Sequence, residues 1–159
     1  MSHPIQVFAG GNALSAFRIQ QLLPRLQAIA PAVTGFSARF DHLVRFATAP
    51  THAQLQQVQA LLTYGPAYEA PEGQKASIEL VVAPRLGTVS PWASKATDIA
   101  RNCGLPVQRV ERVTQYVIGL KTGLLGKVVP LSEAELAKIA ALLHDRMTES
   151  VLPTVEAAK

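Results

Sequence analysis

The feature that most limits the fold is a capped helix written twice. Thr51-x-Ala53-Gln54-Leu55-x-x-Val58-x-Ala60-Leu61-Leu62 lies over Ser132-x-Ala134-Glu135-Leu136-x-x-Ile139-x-Ala141-Leu142-Leu143 at a constant offset of 81, with five identities. Thr51 and Ser132 both suit an N-cap, and Glu135 completes a capping box in the second copy. Amphipathic helices converge on such patterns, so the helix alone does not establish duplication. The order of the preceding elements adds weight, because each copy follows a strand, a helix and a longer strand. Two β-α-β-α units, about residues 5–66 and 77–148, are expected to pair as a pseudo-twofold α+β sandwich, with a sheet on one side and helices on the other. Residues 1–150 read as one domain, and 151–159 as a tail or the start of a linker.

In the first unit, the apolar run Ile5–Ala9 and the pair Gly10-Gly11 read as a strand and a turn. Leu14, Phe17, Ile19, Leu22, Leu23, Leu26 and Ile29 then recur at helical spacing, with Asn12 as candidate N-cap. Pro24 lacks an N–H and predicts a kink or an early break. From Phe36 to Phe46 the period is two. Phe36, Ala38, Phe40, Val44 and Phe46 share a face that only His42 interrupts, with Ser37, Arg39, Asp41 and Arg45 opposite. Thr51 opens a helix running to about Tyr64, where Gly65-Pro66 stops it.

The second unit repeats the order. Ile78–Ala83 reads as a central strand, and Pro91 to Cys103 as a helix with Gly104 just past its end. Val107–Leu120 reads as a long strand, and Ser132 to about Thr148 as the last helix.

Composition narrows the function classes. Of the 159 residues, 48% are hydrophobic and 16% charged, too aliphatic for disorder. One cysteine excludes a disulfide framework or a multi-thiolate zinc site within the chain. No basic n-region leads into an apolar h-region at the N-terminus. The longest charge-free stretch, Phe46 to Tyr68, holds four glutamines and a histidine, which is no membrane span. A cytoplasmic protein without a membrane partner is expected. The net charge of +4 is spread: residues 1–75 carry five Lys/Arg against three Asp/Glu, and 76–159 ten against eight. With no basic stripe and no RNP-like strand, no nucleic-acid partner is expected. Charge depletion along 46–68 suits a surface that another protein covers, and equally a neutral solvated helix.

The densest cluster of chemistry-bearing side chains starts at Pro84. Ser90 with Pro91 behind it is a strong helix start. Trp92, Ala96, Ile99, Ala100 and Cys103 fall on one face of that helix, and Ser94, Lys95, Asp98 and Asn102 on the other, with Lys95 and Asp98 spaced to pair. Arg85, Thr88, Ser90 and Lys95 near the helix start could bind an anion. An ordinary capped helix with a solvated face explains the same residues, and there is no P-loop pattern. Arg112 sits on an otherwise apolar strand face, which fits an interface or a paired ion, and equally a frayed strand edge or a local bulge. Cys103 reads as a core residue. The four histidines lack metal-site spacing, and no Gly-x-Ser-x-Gly elbow or paired carboxylates occur, so no catalytic residue, cofactor site or metal site is assigned.

One run is far more specific than these patterns: Ala83-Pro84-Arg85-x-Gly87-Thr88-x-Ser90-Pro91-Trp92-x-Ser94-Lys95-Ala96-Thr97-Asp98-Ile99-Ala100-x-Asn102-Cys103-Gly104-Leu105. It resembles the N-terminal domain of phosphoribosylformylglycinamidine synthase, the large single-chain formylglycinamide ribonucleotide amidotransferase. Ala13–Arg18, Leu62-x-Tyr64-Gly65-Pro66, Arg109-x-Glu111-Arg112 and Leu143–Glu149 extend the likeness along most of the chain. It departs from the family at Val113–Val117 and in 119–131. The resemblance implies a domain similar to a dimer of the small subunit of the multi-subunit enzyme. It further implies a role in purine biosynthesis, in which ATP, magnesium and glutamine are used by synthetase and glutaminase domains outside this chain. The domain is then expected to organise those partners without being catalytic alone, with Ser90, Trp92, Ser94, Lys95, Thr97, Asp98 and Arg112 as substrate-proximal or interdomain candidates. A free-standing module that binds a small metabolite between the two halves is the alternative.

Overall fold

A computed structural model describes residues 5–68, 77–85, 89–122, 131–145, 147–153 and 155–158. The elements run β1 (Ile5–Asn12), α1 (Ala16–Ile29), β2 (Val33–Phe46), α2 (His52–Leu61), β3 (Ser77–Pro84), α3 (Pro91–Asn102), β4 (Val107–Leu120), α4 (Glu133–Leu143) and β5 (Glu149–Leu152), then a short 3-10 turn at Glu156–Ala158. The sheet is wholly antiparallel, in the order β1-β2-β4-β3-β5. The two long strands, 14 residues each, lie at its centre. Phe40 stands opposite Thr114, each eighth in its strand. Pairing the strands at their middles is what a twofold axis between two units requires.

The repeated caps are real. Thr51 and Gln54 close a capping box on α2, and Ser132 and Glu135 close one on α4. Each box satisfies N–H groups that the first helical turn leaves without partners. α1 and α3 match in the same way, with Ser15 and Ser90 accepting from the N–H three residues on.

Even-numbered residues of β2 and β4 face the helices. Phe36, Ala38, Ile118 and Leu120 pack with Leu22 and Leu26 of α1 and Ile139 and Leu143 of α4. Val44, Phe46 and Val110 pack with Val58 of α2 and Ala100 of α3. A third apolar group lies on the reverse face, where Leu43, Val81, Ala83 and Val113 meet Ile5, Leu152, Val155 and Ala158.

Several expectations need correction. The N-cap of α1 is Ser15, not Asn12, and the helix continues through Pro24. Gln20 and Pro24 are both exposed, so the carbonyl that Pro24 leaves without a donor is on the solvated side. The last helix stops at Leu143 rather than near Thr148. There the Asp145 carboxylate accepts from the Met147 N–H, and the Glu149 carboxylate from that of Asp145, drawing the backbone into a turn. The residues that follow form β5, which crosses the expected boundary at 150 and pairs with β3 from Val81 to Pro84. The reverse face of β2 is not simply solvated either. Ser37 and Asp41 are buried there.

Substitution should separate the two roles of apolar residues on the helices. Ile139→Ala empties a site with no exposed surface and should cost about 2–5 kcal/mol. Phe17→Ala, at a side chain 68% exposed, should cost about 0.5 kcal/mol or less. Urea unfolding of the two variants measures both.

Candidate functional site

Between the two helix-side clusters the sheet carries Phe40 and His42 on β2, opposite Thr114 and Arg112 on β4. Tyr64, just beyond α2, and Trp92, at the start of α3, close over them. The Arg112 guanidinium lies between two rings, 4.1 Å from the Phe40 centroid and 4.4 Å from that of Trp92. The cation thus meets the π-electron density of two rings, an attraction that strengthens as water is excluded. Trp92 and Tyr64 also lean on the His42 ring, each with centroids 5.5 Å away.

The polar atoms form a directed chain. His42 has no exposed surface, and burial lowers its pKa from 6.5 to about 4, with a small further push from Arg112. The ring is therefore neutral at pH 7 and carries one N–H. Its Nδ1 lies 3.2 Å from the Phe8 carbonyl oxygen, which can only accept, so the proton is on Nδ1. Nε2 then accepts from the Tyr64 hydroxyl at 2.8 Å, and the Tyr64 oxygen accepts from Arg112 Nη1 at 3.1 Å. The chain Arg112 to Tyr64 to His42 to Phe8 joins β4, the segment after α2, β2 and β1. Gly10 makes it possible: a Cβ there would stand 2.4 Å from His42 Cε1 and 2.9 Å from the Phe40 oxygen.

The other candidates divide sharply. Ser90 caps α3 and also donates to Glu111 Oε1 at 3.1 Å. The Glu111 carboxylate further accepts from the Arg112 N–H and from Arg109 Nη2. A carboxylate therefore already stands at this helix start, where a bound anion would meet like charge. Thr97 is buried and structural: it donates to the Ala93 carbonyl and accepts from the Val110 N–H at 3.0 Å. Ser94, Lys95 and Asp98 are exposed, and no Lys95–Asp98 ion pair occurs among the described residues. Thr88 lies outside the described residues. The expected apolar face of α3 is also shifted. Ala93, Thr97 and Ala100 are buried, whereas Ile99 is 47% exposed and Cys103 is an exposed C-cap, not a core residue. Small side chains let the helix lie close to β4.

Arg112 is on the helix-side face without a bulge, since the β2–β4 register is regular from Gly35 to Arg45. Sequence reasoning missed Phe40 and Tyr64 as its partners. The break that His42 makes in the apolar alternation was the available signal. On the reverse face, Arg39 grips buried Asp41 through Nε and Nη2, at 3.1 and 3.3 Å, and reaches Gln115. Burial raises the Asp41 pKa above its usual value despite Arg39. Among the described residues, no three of His, Cys, Asp and Glu gather as a metal would need, and no helix is long and apolar enough to cross a membrane.

An antiparallel sheet under one layer of helices, built from two like halves and braced at their junction, defines the class: a duplicated α+β sandwich domain. Residues 39–159 match the family model described as formylglycinamide ribonucleotide amidotransferase N-terminal. The chain belongs to that family, whose enzyme serves purine biosynthesis, in agreement with the resemblance of the Pro84–Leu105 run.

Two variants probe the brace. His42 binds its proton more weakly folded than unfolded, so stability should fall as pH drops from about 6.5 to about 4. The slope from this residue is at most about 1.4 kcal/mol per pH unit. Urea midpoints across that range should show a shallower loss in His42→Gln than in the parent. Asp41 acts in the opposite sense and is unchanged in both proteins. Gly10→Ala should cost on the order of 1–3 kcal/mol through overpacking against His42, measured at pH 7.

Proposed function

We propose that this domain is the structural scaffold of a formylglycinamide ribonucleotide amidotransferase. It holds the synthetase and glutaminase domains in working relation and supplies no catalytic group of its own. The ATP- and magnesium-dependent step, and the release of ammonia from glutamine, then belong to residues outside this chain. The observation that carries the reading is the internal use of the motif. Ser90, Trp92, Thr97 and Arg112 are engaged with Glu111, His42, Val110, Phe40 and Tyr64 of the same domain. Residues spent on holding two halves together serve shape rather than bond making.

A second reading, a module that binds a small metabolite, draws on a groove of about 310 Å³ between α2 and α3. It predicts that such a metabolite raises the Tm of the isolated chain by mass action.

The scaffold reading is tested with an amidotransferase from which this domain has been removed. Glutamine- and ATP-dependent conversion of formylglycinamide ribonucleotide should be lost, and should return when the 159-residue chain is added back. Lys95→Ala and Asp98→Ala chains show whether the exposed face of α3 takes part. Full activity without the domain would sink the reading.

A further inference from the structure

The two helix seams that the pseudo-twofold relates are not alike. On one side, Leu22 and Leu26 of α1 interlock with Ile139 and Leu143 of α4, and Leu23 and Leu142 pack against them. On the other, α2 presents Val58 and Leu62, the counterparts of Ile139 and Leu143 at the offset of 81. But the α3 residues that face them across the groove are the small Ala96 and Ala100, and a groove is left between the two helices. Leu61 and Ile99 at its margins stay 40% and 47% exposed. A groove of this kind loses contacts on one side until branched aliphatic side chains enter it.

Charge says what else the occupant carries. The α2 wall, His52–Leu61, has no charged residue. Two cations adjoin Trp92 of the other wall, one of them, Arg112, outside the lining of the groove. Lys95 lines the groove one turn along from it, and Arg112 stacks on its ring. Neither has a carboxylate partner among the described residues. With Cζ over the Phe40 and Trp92 rings and Nη1 given to Tyr64, Arg112 keeps Nε and Nη2 without a protein acceptor among the described residues. No buried side-chain polar atom lacks a partner among the described residues, so that edge reaches the surface. It is the same edge with which Arg39 grips Asp41. An in-plane pair of N–H groups fits a carboxylate.

We infer that the α2–α3 groove receives an amphipathic helix from another domain of the enzyme, which places leucine-type side chains on the apolar floor and one acidic side chain at the Lys95–Arg112 end. This rests on the scaffold reading and names its docking surface. The mode is helix-in-groove recognition.

The test uses the intact amidotransferase and a water-soluble carbodiimide, which joins an amine to a carboxylate in contact with it, followed by peptide mapping. Lys95 should be joined to one Asp or Glu outside the domain. In Arg112→Lys, the new amine should be joined to the same carboxylate. Leu61→Asp and Ile99→Asp should lower the Lys95 yield at least tenfold, and Phe17→Asp, on α1, should not. Lys95 recovered unlinked, or linked only within this domain, overturns the inference. So do Leu61→Asp and Ile99→Asp enzymes that behave like Phe17→Asp. Activity lost on removal of the domain, with Lys95 unlinked, removes only the groove's occupant. Activity kept without the domain removes the scaffold reading too.

Discussion

Everything in this domain hangs on the antiparallel pairing of β2 with β4. Each strand alone belongs to a hairpin-like unit with one helix layer, too thin to bury both of its faces. Joined at their middles, the strands make one sheet wide enough for four helices and bring the two apolar clusters side by side. The pairing also sets where the clusters adjoin, and there the core turns polar. His42 and Arg112 lie opposite one another because the register puts them there, not because they attract. Two like-signed groups face to face tolerate burial only if one stays neutral, which the depressed His42 pKa ensures.

That local solution explains why a polar chain crosses an otherwise apolar core. A buried donor without an acceptor is costly, and three strands and the segment after α2 each supply one member of the chain. The carbonyl of Phe8 fixes the proton on His42, and His42 fixes the hydroxyl of Tyr64. The free lone pair of Tyr64 then receives Arg112. Each member sets the polarity of the next, so the junction has one arrangement rather than several. Glu111 does similar work at the start of α3, tying a cap to the strand.

Much of this was legible in the sequence, and the parts that were not share a cause. Val107–Leu120 reads directly from its pattern, and the Ser132–Glu135 capping box from residue types, because both depend on neighbours along the chain. β5, the burial of Asp41 and the site of Cys103 depend on segments far apart in sequence. Asp41 looks solvent-facing by alternation, yet its face is covered and Arg39 neutralises it. The buried side of α3 was placed correctly at Trp92, Ala96 and Ala100 but wrongly at Ile99 and Cys103, because hydrophobicity ranks Ile99 high while close approach to β4 selects Ala93 and Thr97 beside Ala100. His42 announced itself only as an interruption. Its partner Tyr64 stands in a helix-stop segment whose path over the sheet no local pattern encodes.

The unlike seams have a consequence for how such a domain can evolve. In an assembly of two identical subunits, any substitution is written on both sides of the axis at once. A leucine lost from one seam is lost from the other, and the core loses volume twice. Covalent linkage lifts that constraint. The α1–α4 seam can stay closed and carry the stability, while the α2–α3 seam trades packing for an open surface. A fused pair can therefore face its neighbours asymmetrically, which strict twofold symmetry forbids.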